Sequence, residues 1–208
     1  MAEIRPELTT STLLIFDIDN TLVEPVGNIG SDQWYYYIEK AYARDGLDSA
    51  AAEAKAGETW SWALATVKVK PVEDTTPALV REQQRRGVKI MALTARDAKD
   101  APATFRQLKD IGVDLGTNVV FVGDGPDKGK ALVAELKKRK LKPAKVVFVD
   151  DKPHHVKNVD AALTAAGIPS VSFRYGAADA KVRAFNAVMA EAGDKANAEL
   201  LFHGRLPK

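Results

Sequence analysis

Two apolar patterns alternate along the chain. Mainly apolar runs of strand length recur at 12–16, 88–93, 119–122 and 145–149, and Val171-Ser-Phe-Arg-Tyr175 reads as a further strand. Runs of this kind fit strands covered on both faces, as in a parallel sheet between helices. Between them lie stretches with helical spacing: 77–86 ended by Gly87, 98–110 ended by Gly112, 129–140, 157–166 ended by Gly167, and 179–192. Glycine just past a helix is the usual stop. The alternation predicts an α/β fold with a doubly wound parallel sheet. Residues 24–30, rich in Gly, Pro and Asn, predict an irregular turn. Ser31 or Asp32 then caps a helix over 33–42 that ends at Asp45-Gly46. An alanine-rich helix follows over about 48–68, with Gly57 as its weak point, and Pro71 closes the segment. Residues 27–70 therefore read as a small helical layer inserted after the first strand, between core segments 1–26 and 71–208. The pattern does not decide the tail, 193–208.

Polar chemistry is concentrated where the apolar runs stop. The first run ends in Asp17-Ile18-Asp19-Asn20-Thr21, the second in Thr94-Ala95-Arg96, and the fourth in Asp150-Asp151. Ligands of open α/β sheets bind at the carboxyl ends of strands. Hard carboxylate oxygens suit Mg²⁺. A carboxylate so placed can attack phosphorus while a second one handles a proton. Taken alone, an Asp-x-Asp is as well explained by an Asx-type turn. Thr94 alone is as well explained by helix capping, and Arg96 by a surface ion pair.

Taken together, these residues resemble the haloacid dehalogenase (HAD) superfamily of phosphatases. Phe16-Asp17-Ile18-Asp19-Asn20-Thr21-Leu22 is similar to its first motif, Thr94 to its second, Lys128-Gly129 opening a helix to the lysine of its third, and Asp150-Asp151 to its acidic fourth. The four follow in order from residue 17 to 151, most of the chain. The resemblance implies a HAD-like, Rossmannoid core whose small helical insertion is a cap over the active site. It also implies a Mg²⁺-dependent phosphohydrolase that cleaves a small phosphomonoester through an aspartyl-phosphate. Asp17 would be the nucleophile and Asp19 the acid and base. Thr94 would hold a phosphoryl oxygen, and Lys128, rather than Lys130, would offset the crowded negative charge. Asp17, Asp19 and Asp150 would form the metal site, with Asp151 binding directly or orienting a metal water or Lys128. Asn20, Thr94, Arg96 and Trp34 are the candidate substrate contacts. Asp19 speaks against dehalogenase chemistry, since relatives using it lack the second aspartate. A phosphomutase, or an idle HAD-like domain that only binds a phosphorylated ligand, remains as the alternative.

Composition narrows the picture. The net charge of +2 over 208 residues gives no global reason to expect nucleic acid. The basic run from Lys137 to Lys145 reads as the solvated end of a helix. Without cysteine, thiolate catalysis and zinc–thiolate sites are excluded. His154 and His155, adjacent in the chain, are expected at the pocket rim or surface rather than on one ion. No apolar run approaches the roughly 20 residues of a membrane span, and the first residues lack a signal-peptide pattern. The expectation is a cytoplasmic protein, or a periplasmic one if an export signal has been removed. Trp34, three tyrosines after it, Trp60 and Trp62 make the insertion aromatic-rich. These rings either pack the insertion onto the core or offer the substrate a stacking surface.

Overall fold

In a computed structural model, which describes residues 1–123, 125 and 127–189, the fold is organised around strand β1 (Thr12–Phe16), buried along its whole length. Side chains alternate across a strand, and both faces of β1 are covered. Leu13 and Ile15 join one apolar cluster, Leu14 and Phe16 the other. After β1 the chain forms β2 (Val23–Pro25), α1 (Asp32–Arg44), α2 (Ser49–Thr66) and β3 (Val69–Pro71). It continues through α3 (Thr76–Arg85), β4 (Lys89–Thr94), α4 (Ala101–Asp110) and β5 (Val119–Phe121). It closes with α5 (Lys128–Lys138), β6 (Lys145–Asp150), α6 (Pro153–Ala165), β7 (Ser170–Arg174) and helical residues 179–189.

The main sheet is parallel, in the order β5-β4-β1-β6-β7. Leu79 and Val80 of α3 and Leu108 of α4 cover one face, and Leu132 and Leu136 of α5 with Val159 and Leu163 of α6 cover the other. The sheet is thus α/β and doubly wound, and the architecture is HAD-like. The chain builds outward from β1 through β4 to β5, then returns to place β6 on the other side of β1. That reversal puts a crevice at the carboxyl ends of β1 and β6, the place where such sheets bind ligands.

The segment after β1 departs from the expected irregular turn. Val23–Pro25 pairs antiparallel with Val69–Pro71, so a two-stranded ribbon frames the point where the helical layer leaves and rejoins the core. A three-residue strand containing a proline at a sheet edge carries too little pattern to be read from sequence. Helix α2 runs unbroken through Gly57. Its packing partners are Trp34, Tyr35 and Ile38 of α1, with Phe185 and Met189 closing the same cluster. Both helices of the layer are capped by side chains: the Ser31 hydroxyl accepts from the Trp34 N–H, and Asp48 from that of Ala51. Near the end of α2, where carbonyls lack helical partners, Leu64 O accepts from Arg106 and Gln107 of α4 at 2.7 and 2.9 Å. The tail 193–208 lies outside the described residues. Among those described, no helix is long and apolar enough to cross a membrane.

Candidate active site

Asp17 stands one residue beyond β1, 5% exposed, its N–H donating to Val149 O of β6 at 2.8 Å. This bond carries the ladder one step past the strand and fixes the carboxylate at the crevice mouth. Asp150 ends β6 and is wholly buried. Between them comes Lys128, the first residue of α5 and 2% exposed, whose ammonium donates to Asp17 Oδ1 at 2.6 Å and Asp150 Oδ2 at 2.8 Å. Gly129 makes that placement possible. A Cβ there would lie 2.3 Å from the Asn158 carbonyl oxygen, so only glycine lets the start of α5 press against α6. Asp127 caps the helix by accepting from the Lys130 N–H, and Lys130 itself is exposed.

Asn20 adopts φ +57°, the left-handed region that asparagine tolerates better than most residues. The turn it makes brings its amide Nδ2 3.4 Å from both Asp151 Oδ2 and Gln33 Oε1. The Asp19 carboxylate is taken by Arg96, with Nε and one terminal nitrogen each donating at 2.8 Å. The other terminal nitrogen donates to the Thr104 hydroxyl at 3.0 Å, and the guanidinium lies 5.6 Å from the centre of the Trp60 ring. Arg96 is 1% exposed, so it is a buried pair rather than a surface one. The Thr94 hydroxyl accepts from the Arg96 N–H at 3.2 Å, fixing the turn after β4.

One oxygen each from Asp17, Asp150 and Asp151 lies within 4.8 Å of the others. Burial raises Asp17 well above the usual carboxylate range, and Asp150, Asp151 and Asp19 add to this against the opposing charge of Lys128. Burial also acts on Asp150, but hydrogen bonds and charge from His155 and Lys128 outweigh it and draw the group down to about 2. Burial, with Asp32 and Asp150 nearby, pushes Asp151 up to about 7. Lys128 is raised, because the two carboxylates it touches outweigh its own desolvation. Three carboxylates sharing one spot with a single ammonium are electrostatically incomplete. Hard oxygen donors at this spacing fit a divalent cation such as Mg²⁺.

A cavity of about 60 Å³ opens above these groups. Its wall brings Asp17, Asp19, Arg96 and Lys128 together with residues of the helical layer, Asp32, Tyr35, Tyr36, Gly57 and Trp60, and with Asp97, Asp100, Lys152 and His155. Lys152 bridges core and layer, donating to Asp32 Oδ1 at 2.9 Å and to the Tyr36 hydroxyl at 2.8 Å. His155 sits at the cavity with Nδ1 3.3 Å from the Asp150 carboxylate, and His154 packs against its ring. Trp34 is placed elsewhere: it is 2% exposed, in the core of the helical layer. The rings that reach the cavity are Tyr35, Tyr36 and Trp60, one or two residues along α1, or one helix away, from the position the sequence singles out. Asp32, Asp100 and Lys152 also escape a motif reading. Only the adjacency of Lys152 to Asp150-Asp151 gives a hint of it.

Comparison with known proteins bears on the fold. A chain of Chlamydia trachomatis serovar D described as "Putative outer membrane protein" is 22% identical over 179 residues, which cover 79% of this chain and 69% of that one. Among solved structures, a haloacid dehalogenase-like family hydrolase of Streptococcus pneumoniae superposes with a TM-score of 0.54 at 14% identity, covering 79% of this chain and 85% of the other. Protein tyrosine kinase A of Mycobacterium tuberculosis gives 0.53 at 19% identity, covering 77% and 82%. Likeness at this level concerns the fold, which is HAD-like. The family model described as "Protein of unknown function (DUF2608)" matches residues 1–119 and 116–198, and the chain belongs to that family.

Proposed function

We propose that the protein is a Mg²⁺-dependent phosphohydrolase that cleaves a phosphomonoester through an aspartyl-phosphate on Asp17. The observation that carries this reading is the buried Lys128 held between Asp17 and Asp150, with Asp151 completing an acidic trio. Asp17, Asp150 and Asp151 would hold the cation. Bound there, it would screen the carboxylates from an incoming phosphoryl group and polarise that group. Lys128 binds one oxygen of Asp17, which orients the other toward the crevice as the attacking atom. The backbone N–H groups of the turn after Asp17 and the Thr94 region supply donors for phosphoryl oxygens.

Asp19 is held by Arg96 as a carboxylate, the form that takes a proton from water when the aspartyl-phosphate is hydrolysed. In the first half-reaction the leaving oxygen needs a proton. Asp19 would deliver it, and would recover it from the water that hydrolyses the aspartyl-phosphate. An idle binding domain would have no use for so costly a set of buried charges, each of which must be paired to be tolerated. Retention of Asp17, Asp19, Thr94, Lys128 and Asp150 together therefore supports an enzyme. The test is phosphate release from a broad panel of phosphomonoesters with Mg²⁺ and with EDTA. Metal-dependent release is expected. No turnover of any member by Mg²⁺-loaded protein would move the reading to the mutase or the idle domain.

A further inference from the structure

The basic side chains of the cavity are already committed. Lys128 serves Asp17 and Asp150, Arg96 serves Asp19, and Lys152 serves Asp32. One buried carboxylate on the wall has no such partner. Asp100 is 6% exposed, lines the cavity, and has no hydrogen bond or ion pair to its carboxylate among the described residues. It stands at the N-cap of α4, where an aspartate ordinarily accepts from the N–H of the second or third helical residue. Here Pro102 occupies the second position and has no N–H to give, and no capping bond forms. Its carboxylate oxygens open onto the cavity rather than into the core, so solvent or a ligand meets their charge.

Part of the same cavity's wall is aromatic. Tyr35 sets its ring edge-on to Trp60 at 5.6 Å, and both line the cavity. The Trp60 indole N–H is buried and unpartnered among the described residues. Aromatic faces beside a carboxylate stabilise a desolvated cation. Charge balance points the same way. A divalent cation on the trio and a phosphomonoester dianion offset one another, leaving the rest of the cavity with the negative excess it had before.

We propose that Asp100, with the rings of Tyr35 and Trp60, is a binding site for a small alkylammonium group, so that the substrate is a phosphomonoester of an amino alcohol. The inference rests on the phosphohydrolase reading for where the phosphoryl group sits, and its site adjoins the reacting groups through Arg96, which lies 5.6 Å from the Trp60 ring centre and holds Asp19. An anionic leaving group would meet Asp100 unfavourably, and a neutral one would leave its charge unmet.

Two readouts separate the proposals. In the first, ethanolamine and choline are titrated into the Mg²⁺-loaded full chain while tryptophan fluorescence is followed, with ethylene glycol and 3,3-dimethylbutanol as neutral counterparts. At least one cation is expected to bind tenfold or more tightly than its counterpart. Asp100→Asn, which keeps the shape, should abolish that difference, and Asp100→Glu should restore part of it. In the second, kcat/KM for O-phosphoethanolamine is compared with that for n-propyl phosphate, and the ratio should fall at least tenfold in Asp100→Asn. Equal binding of cations and neutral molecules, or a preference that survives in a folded Asp100→Asn, overturns the ammonium site. Hydrolysis of both esters without preference also overturns it and leaves the phosphohydrolase standing. Ammonium binding that depends on Asp100, with no ester hydrolysed, supports the site and removes the phosphohydrolase.

Discussion

The floor of the cavity and the helical layer above it are held together by different physics. The floor consists of strand ends and the start of α5, and its cohesion is ionic: Lys128 between two carboxylates and Arg96 clamped on Asp19. The layer is alanine and aromatic, with Ala56 and Ala63 letting Trp34, Tyr35 and Ile38 approach α2 and Phe185 and Met189 closing the cluster from the C-terminal side. The layer meets the core through a few polar ties: Lys152 to Asp32 and Tyr36, Asn20 to Gln33, and Arg106 and Gln107 to the end of α2. The floor should therefore answer to metal and pH, and the layer to packing. On the proposed reading the floor would hold the phosphoryl group, while the rings of the layer, together with Asp100 of the core, would meet the leaving group.

The largest expected effect comes from removing the central cation. Lys128→Met leaves Asp17 and Asp150 buried without their counter-ion, a loss of about 3–5 kcal/mol in metal-free protein by comparison with other broken buried pairs. Urea unfolding with and without Mg²⁺ should show the loss and its partial recovery on adding metal, with turnover gone in both cases. Recovery without metal would mean that the floor is not ionic.

The pH dependence of metal-free stability comes next. Asp151, raised to about 7, keeps its proton in the folded state while the unfolded chain loses it near pH 4. The folded state then binds more protons between about pH 4 and 7, so this group lowers stability as pH rises through that window. Asp150 acts in the opposite sense and lower down, its contribution present above about pH 4 and lost as pH falls toward 2. Thermal unfolding in EDTA from pH 4.5 to 7.5 should show the decline due to the raised carboxyls Asp151 and Asp17, and Mg²⁺ should flatten it by replacing their protons. Variants in the layer other than at Asp32, whose charge helps raise Asp151, should leave this profile unchanged.

Gly129→Ala tests how the lysine is positioned. The added methyl meets the Asn158 carbonyl, so α5 must shift, at a cost of about 1–3 kcal/mol typical of overpacking. Because Lys128 is the preceding residue, kcat should fall along with stability. The smallest effect is expected at Arg106→Ala. It removes one of two donors to Leu64 O and should cost less than about 1.5 kcal/mol, with the metal dependence intact.

Much of the floor is legible in the sequence because its parts lie where strands stop. Asp17, Thr94 and Asp150 each terminate or follow an apolar run, and Lys128 opens a helix after a Gly-rich loop, so one-dimensional pattern fixes their place. The strands of the sheet are legible for the same reason, whereas their order, β5-β4-β1-β6-β7, is set by packing that no single run records. The layer is less so. Trp34, Tyr35 and Tyr36 are consecutive, and which of them faces the cavity depends on the rotation of α1, set by contacts with α2 and residues 179–189. Asp100 looks like an ordinary helix cap until Pro102 and the cavity are seen together. The ribbon of Val23–Pro25 and Val69–Pro71 joins segments far apart in the chain, each only three residues long. Arg96 is ambiguous in sequence because its role is set by burial, which no local pattern records.

The central claim is that Asp17 is the nucleophile. The most direct measurement is to mix the Mg²⁺-loaded protein with a turned-over phosphomonoester, quench with acid at short times, reduce with borohydride, and locate the modified residue by mass spectrometry. The account predicts modification at Asp17, absent in Asp17→Asn and in EDTA. Turnover with Asp17 unmodified, or the same label on another residue, would contradict it.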